Sequence, residues 1–369
     1  MNTTTIVGWG TAVPPGRVTQ DDAAQHAVTH WGAVHEQGKT IGALYRRSGV
    51  KSRHSVLVDS STNGEPAQQS FYRVAESATD RGPTTHERML RYEADALDLA
   101  EPAARAAMDD AGIGADAVTH LVTVSCSGFN APGVDIGLVE RLGLARSTVR
   151  THIGFMGCHG ALNALRLAGA FTSADRAACV LVCCVELCSL HQQYSAEAEQ
   201  LVANSLFADG AAAVICRASS PSPSDWAVVD QISYLLPDTT ELMGWRIGDH
   251  GFQMTLSPQV PTVIGLRLRD QVSQWLATRN LTLENIRTWA IHPGGPRILW
   301  ACCEALGLER NAVETSREIL STFGNMSSPT ILFILNQMRK QDRPLPCVAL
   351  SFGPGLTIEG ALVDTPRKR

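Results

Sequence analysis

RTHIGFMGCHGALNALRLAGAF, residues Arg150 to Phe171, is the stretch around which the chain is arranged. Small and apolar residues run into Gly157-Cys158-His159-Gly160, and an apolar helical pattern follows at Ala161, Leu162, Ala164, Leu165, Leu167 and Ala168. A helix so poor in charge is expected to be buried on nearly every face. Cys158 falls at its first turn, where unpaired backbone N–H groups and the helix dipole favour an anion. A thiolate is such an anion, and a lowered thiol pKa makes a nucleophile at neutral pH. Gly157 and Gly160 allow another backbone or a substrate to come close. On this stretch alone the plainer reading, a packed free cysteine, is the stronger one.

Working outward, Ala177 to Ser189 (AACVLVCCVELCS) is a continuous apolar run, as expected of a strand covered on both faces. Phe207-Ala208-Asp209-Gly210 then leads into a further strand, AAAVIC. Upstream, Thr4 to Trp9 reads as a first strand closed by Pro14-Pro15-Gly16, and Ser60 to Pro83 as a polar surface loop. Thr84-x-x-Glu87 has the form of a capping box opening a long helix through Met108. The clearest linker is SSPSPSD, Ser219 to Asp225. Beyond it the plan repeats: strand WAVVDQISYLL, a helix near Val263 to Arg279, strand TWAI, a second apolar helix ILFILNQMRK entered through small residues, then strands VALSF and LTIEGALV. This predicts a duplicated α/β unit with layered sheets and two central helices, one half spanning 1–222 and the other 223–369.

Bulk properties narrow the function. The 369 residues suffice for two lobes and a large core. A net charge of −5 favours neither nucleic acid nor an anionic membrane as a general partner. No apolar run reaches the roughly 18–20 residues needed to span a bilayer, and MNTTTIVGWG lacks a signal-peptide layout, so a cytoplasmic protein is expected. The ten cysteines include no C-x-x-C pair and read as reduced thiols, with no metal site.

A nucleophilic cysteine needs a base and a group to hold its acyl intermediate. His292 ends strand TWAI ahead of Pro293-Gly294-Gly295-Pro296, and Asn325 sits in Gly324-Asn325-Met326 before the second apolar helix. Each has a bland alternative: His292 as a capping residue, Asn325 as a helix cap. Arg46, Arg47, Lys51 and Arg53 lie close in sequence, either as a solvated basic face or as an anchor for phosphates.

GCHGALNALRLA, WAIHPGGPRIL, STFGNMSSPTILFIL, LFADGAAAVI and SFGPGLTIEG together resemble the type III polyketide synthases, the chalcone synthase-like branch of the thiolase superfamily. The resemblance implies the five-layered αβαβα thiolase fold and a homodimer. It implies Cys158, His292 and Asn325 as catalytic triad, with a Cys158–His292 thiolate–imidazolium pair, and Phe207 as aromatic gatekeeper. The implied substrates are an acyl-CoA starter and malonyl-CoA, with Lys51 and Arg53 on the coenzyme A phosphates and no bound cofactor. The implied reaction is decarboxylative condensation and cyclisation to an alkylpyrone, alkylresorcinol or related phenolic.

The chain also departs from the plant pattern. Met254 stands where a second Phe is frequent, Ala131 where plant members place a Met that reaches across the dimer, and His159 follows the nucleophile. Cys126, Cys188 and His191 fall at positions expected to line the elongation cavity. With Met254 soft and both cysteines small, room for a medium or long fatty acyl starter is expected, with Trp245 a candidate to cap it. Two other readings remain at this stage: a ketoacyl synthase III-like enzyme that extends once from an acyl carrier protein, and an inactive acyl-CoA-binding homologue.

Overall fold

A computed structural model of the chain describes residues 4–34, 36, 38–59, 68–218 and 226–365. The first half holds β1 (Thr4–Ala12), β2 (Arg17–Thr19), α1 (Gln20–Ala27), α2 (Gly38–Arg47), β3 (Ser52–His54), α3 (Thr85–Asp110), β4 (His120–Ser125) and α4 (Val134–Leu142). It continues with β5 (Val149–Gly154), α5 (Gly160–Ala174), β6 (Cys179–Leu187), α6 (Ala198–Leu206) and β7 (Asp209–Arg217). The second half holds β8 (Trp226–Leu235), β9 (Met243–Gly248), β10 (Gly251–Leu256), α7 (Val260–Ala277), β11 (Thr288–Ile291) and α8 (Pro296–Leu306). It closes with α9 (Glu314–Phe323), α10 (Pro329–Lys340), β12 (Cys347–Gly353) and β13 (Thr357–Asp364).

The duplication expected from the sequence pattern is present in the strand order. Nine strands run β11-β12-β13-β8-β1-β7-β6-β4-β5. In the first half β4 is parallel to β6, and β6, β7 and β1 follow antiparallel; in the second, β11, β12, β13 and β8 repeat that order and those directions. The halves are hydrogen-bonded to each other through a short β1–β8 pairing, Thr4 to Val228 through Ile6 to Trp226, so the expected two sheets are one continuous ladder. The linker and the 222/223 boundary lie outside the described residues.

Strand alternation sorts side chains into layers. On β6, Val180, Val182 and Cys184 join one cluster with α5, α10 and the β12 residues Cys347 and Ala349. Their neighbours Cys179, Leu181 and Cys183 face α3 instead, while Val348 and Leu350 of β12 face α7 and α8. Five layers result: α3, the first-half strands, α5 with α10, the second-half strands, and α7 with α8. The central helices are buried because sheet covers them on two sides, which is why Ala161, Leu162, Leu165, Ile331 and Leu335 are apolar all round.

Local signals hold where chemistry fixes them. The Thr84–Glu87 capping box forms in both directions. The polar 60–83 segment differs from expectation: 60–67 lie outside the described residues, and beyond them Tyr72 is buried and donates to Ser189 O at 2.8 Å, so this stretch is packed and not simply a surface loop.

Candidate active site

The site lies where β11, β12 and the two central helices meet. Cys158 sits in a single 3₁₀ turn, Gly157–His159, that runs directly into α5. Phe155 and Gly157 both take positive φ, 57° and 64°, and a Cβ on Gly157 would lie 2.7 Å from Pro354 Cδ, so glycine is required there. This kink turns Cys158 toward the second half of the molecule. His292 follows β11 and is held by its N–H to Leu350 O at 2.8 Å. Asn325 is fixed by its main chain: its N–H donates to Leu206 O and its carbonyl accepts from Ala208 N–H, both at 2.9 Å, forming a parallel bridge with Phe207.

The three residues line one small chamber with Phe207, Met254 and Phe352. The Asn325 carbonyl oxygen Oδ1 is taken by Ser327 N–H at 2.8 Å, which leaves the amide N–H groups for the Cys158 sulfur. The Ser327 hydroxyl also bonds that thiol, and meets Cys126 Sγ at 3.3 Å. Both ring nitrogens of His292 are buried with no hydrogen-bond partner among the described residues. Unused polar atoms on a buried ring are costly unless a ligand completes them.

Burial disfavours the charged forms of both Cys158 and His292. Cys158 is partly accessible through the chamber, yet the protein packed around it pushes its thiol up to about 11, against the favourable bonds from Ser327 and Asn325. Burial, with His159 nearby, pushes His292 down to about 3. A helix start alone predicts a lowered thiol pKa; here burial acts the other way, raising the thiol and lowering the imidazole. His159 itself bonds Asn163 Oδ1 at 2.7 Å and lies flat on Gly353, where a Cβ would come within 2.2 Å of its ring. The ring packs directly behind Cys158.

The remaining expected residues divide. Cys126 and Cys188 line an inner lobe beside Cys158 with Trp245, Met254 and Ser327. His191 does not reach the lobe. Its Nδ1 accepts from Phe252 N–H at 3.0 Å, its Nε2–H donates to Ser127 O at 2.6 Å, and its ring backs Trp245 edge-on at 5.5 Å. Trp245, the candidate cap of this lobe, is one of its walls.

The coenzyme A assignment also changes. Arg53 is buried, and its guanidinium donates to the carbonyls of Asn204, Ser205 and Phe207 and to Gln20 Oε1. It braces the end of α6 and cannot reach a phosphate in solvent. Lys51 is exposed but does not line the cleft that opens onto the chamber. That cleft, about 1270 Å³, shares Met254, Leu256, Gly294 and Ile298 with the catalytic chamber, and its cations are Arg47, Arg81 and Arg297. Of these, sequence reading grouped only Arg47 with the basic run.

Glu186 is a further residue the sequence reading passed over. It is fully buried at the end of β6 and accepts from Cys126 N–H, Ser127 N–H, Ser127 Oγ and Ser328 Oγ at 2.6–3.0 Å, fixing both walls of the inner lobe. Its signal was visible: one carboxylate in an otherwise apolar strand. Among the described residues no group of three or more His, Cys, Asp or Glu is placed to hold a metal ion.

This fold, with a cysteine, a histidine and an asparagine from both halves on one chamber, is that of a thiolase-type condensing enzyme. Residues 2–221 match the family Chalcone and stilbene synthases, N-terminal domain, and residues 228–366 match its C-terminal domain. The chain belongs to this family, the type III polyketide synthases, acyltransferases that use acyl-CoA and malonyl-CoA in decarboxylative condensation. It is 32% identical to the alpha-pyrone synthesis polyketide synthase-like Pks18 of Mycobacterium tuberculosis, over 98% of this chain and 91% of that one. It is 31% identical to the 1,3,6,8-tetrahydroxynaphthalene synthase of Streptomyces peucetius, over 98% and 93%. The crystal structure of PKS-I from the brown alga Ectocarpus siliculosus superposes with a TM-score of 0.91 at 28% identity, over 99% of both chains.

Proposed function

We propose that Cys158 takes the acyl group of an acyl-CoA starter, and that His292 and Asn325 bind the thioester oxygen of malonyl-CoA. The observation that carries this reading is the pairing of a partly accessible thiol with two side chains whose N–H groups have no competing acceptor among the described residues. As the sulfur attacks the starter thioester, its proton passes to the free His292 nitrogen and then to the departing coenzyme A thiolate. Loss of carbon dioxide from malonyl-CoA places negative charge on the thioester oxygen. Neutral His292 N–H and the Asn325 amide donate to that oxygen in a chamber with little water. The enolate carbon attacks the Cys158 acyl thioester, the C–S bond breaks, and the chain is two carbons longer on coenzyme A. Repetition and cyclisation give a pyrone or a phenolic, the product types named for the relatives. Arg47, Arg81 and Arg297 hold the coenzyme A phosphates at the cleft.

In this reading the reaction needs no metal or bound cofactor. The enzyme is a homodimer: Val149, on the free edge strand β5, and Phe129, which packs 6.2 Å from Phe155 just after that strand, are 50% and 52% exposed and support burial against a second copy. Ten free cysteines support a reducing, cytoplasmic setting.

The test is mass analysis of products from a panel of acyl-CoA starters with malonyl-CoA and no carrier protein. More than one carbon dioxide per starter, and a cyclic product, are expected. Cys158→Ala should abolish extension while malonyl-CoA decarboxylation survives through His292 and Asn325. A single extension that requires carrier protein would replace this reading with that of a ketoacyl synthase III-like enzyme.

A further inference from the structure

We propose that a row of polar side chains across the second-half sheet, Ser233, Glu359 and Ser351, delivers to His292 the proton that each chain extension consumes. This rests on the reading of Cys158 as the residue that carries the acyl group.

The demand for a proton follows from the balance of the reaction. In an extension the electron pair of the malonyl C–CO₂ bond forms the new C–C bond, and the pair of the Cys158 C–S bond stays on sulfur. Acyl-Cys158, the malonyl-CoA carboxylate and one proton together give free Cys158 thiol, the longer coenzyme A thioester and carbon dioxide. Starter loading takes up no proton, because the thiol hydrogen ends on coenzyme A. Burial disfavours a Cys158 thiolate, so the sulfur is reprotonated through His292 before the next round. The coenzyme A arm occupies the cleft during extension, and the proton needs a second way in.

The sheet supplies one. β11, β12, β13 and β8 are neighbours in that order. His292 continues β11 just past the Ile291–Leu350 pair and falls beside Ser351; Ser351 is opposite Glu359, and Glu359 is opposite Ser233. Each member is thus one strand spacing, about 5 Å, from the next. Strand alternation turns all four toward the central helices, on the face that also carries Ala290, Cys347, Ala349 and Ala361. The row is a polar line through an apolar surface.

Its two ends meet different surroundings. At the inner end both His292 ring nitrogens and the Ser351 hydroxyl are buried, with no partner among the described residues. Neighbouring orphan atoms of this kind are joined by ordered water, which makes a proton path of them. Glu359 comes next; one of its oxygens accepts from Ser233 Oγ at 2.6 Å and the other from Arg166. Its carboxylate is 2% exposed, while Ser233 is exposed and Arg166 partly so, and the outer end reaches solvent. His159 and Arg166 of α5 are the other titratable or charged groups felt by the row. The ion pair with Arg166 accounts for Glu359 structurally. Ser351 has no such account: its unpartnered hydroxyl costs stability, and alanine serves two residues earlier on the same face.

The test compares a step that takes up no proton with one that does. Loading is followed by intact-protein mass with an acyl-CoA starter alone. Extension is followed by carbon dioxide release and product mass once malonyl-CoA is added. Ser351→Ala removes only an unpartnered hydroxyl, so the melting temperature should not fall and loading should keep its rate. Carbon dioxide should then appear as a first equivalent per Cys158 at the unmodified rate, followed by later turnovers slowed about tenfold or more, as for a lost proton-transfer group. Ser351→Thr, which restores the hydroxyl, should recover most of the later rate, and Glu359→Gln should slow it as Ser351→Ala does. If Glu359→Gln does not fold, the two Ser351 variants decide. Unslowed later turnovers in Ser351→Ala, a loss of loading equal to the loss of extension, or no recovery in Ser351→Thr overturns the proton route alone. No acyl group on Cys158 of the unmodified enzyme with any thioester overturns the assignment of the nucleophile, and the proton route with it.

Discussion

Arg53 offers the sharpest contrast between a ligand-binding and a structural role, and Arg53→Met separates the two. The substitution keeps an unbranched side chain but removes all the donors to Asn204 O, Ser205 O, Phe207 O and Gln20 Oε1. Ser205 O retains a bond from Gln20 Nε2; the other acceptors lose theirs. A buried acceptor left unsatisfied costs about 1–3 kcal/mol. Removing the buried charge offsets part of that, so with three acceptors left unpaired a net loss of about 3–5 kcal/mol is expected. With an unfolding entropy of about 2.1 cal/mol/K per residue over 369 residues, about 0.8 kcal/mol/K, the melting temperature should fall by about 4–6 °C. The assay is thermal unfolding by circular dichroism beside the KM for malonyl-CoA. An unchanged melting temperature with a KM raised about tenfold would refute the reasoning and return Arg53 to the coenzyme A phosphates.

Arg47→Ala and Arg297→Ala should do the opposite, raising KM for both thioesters several-fold with little change in melting temperature, and salt should blunt the difference; unchanged KM in both variants removes the cleft arginines from substrate binding. With its thiol pushed up to about 11, Cys158 should be alkylated by iodoacetamide about tenfold faster for each pH unit from 7 to 10. A plateau below pH 7 would instead mark a resting thiolate–imidazolium pair. Asn325→Ala should lower malonyl-CoA decarboxylation about 10²–10³-fold while Cys158 still accepts a starter, read by carbon dioxide release and by protein mass.

Sequence by itself determined the duplicated layout of the fold, and together with the family resemblance it singled out Cys158, His292 and Asn325 as the proposed reacting groups. Two apolar helices with no polar face have to be covered by sheet on both sides, and strand, helix and strand recur around each in the same order; this is enough to specify the layered, duplicated architecture. Cys158, His292 and Asn325 each follow a local signal, a glycine-flanked turn or the end of a strand, and such signals are short-range. The Thr84 capping box formed for the same reason: its partners are three residues apart.

Only the tertiary structure decided the rest. Whether a cation is a ligand or a brace depends on what surrounds it, so Arg53 and Arg47, six positions apart in one basic run, separate into a buried clamp on α6 and a cleft residue. The Cys158 thiol is governed by desolvation from both halves of the molecule, which outweighs the helix start that its sequence position suggests. Chamber size behaves the same way. Met254, Cys126 and Cys188 read as room when taken singly, but Trp245, bonded to a carbonyl 119 positions away, joins them as a wall of the same lobe. Volume, burial and solvent access are properties of groups brought together over long separations, and no local pattern of residues encodes them.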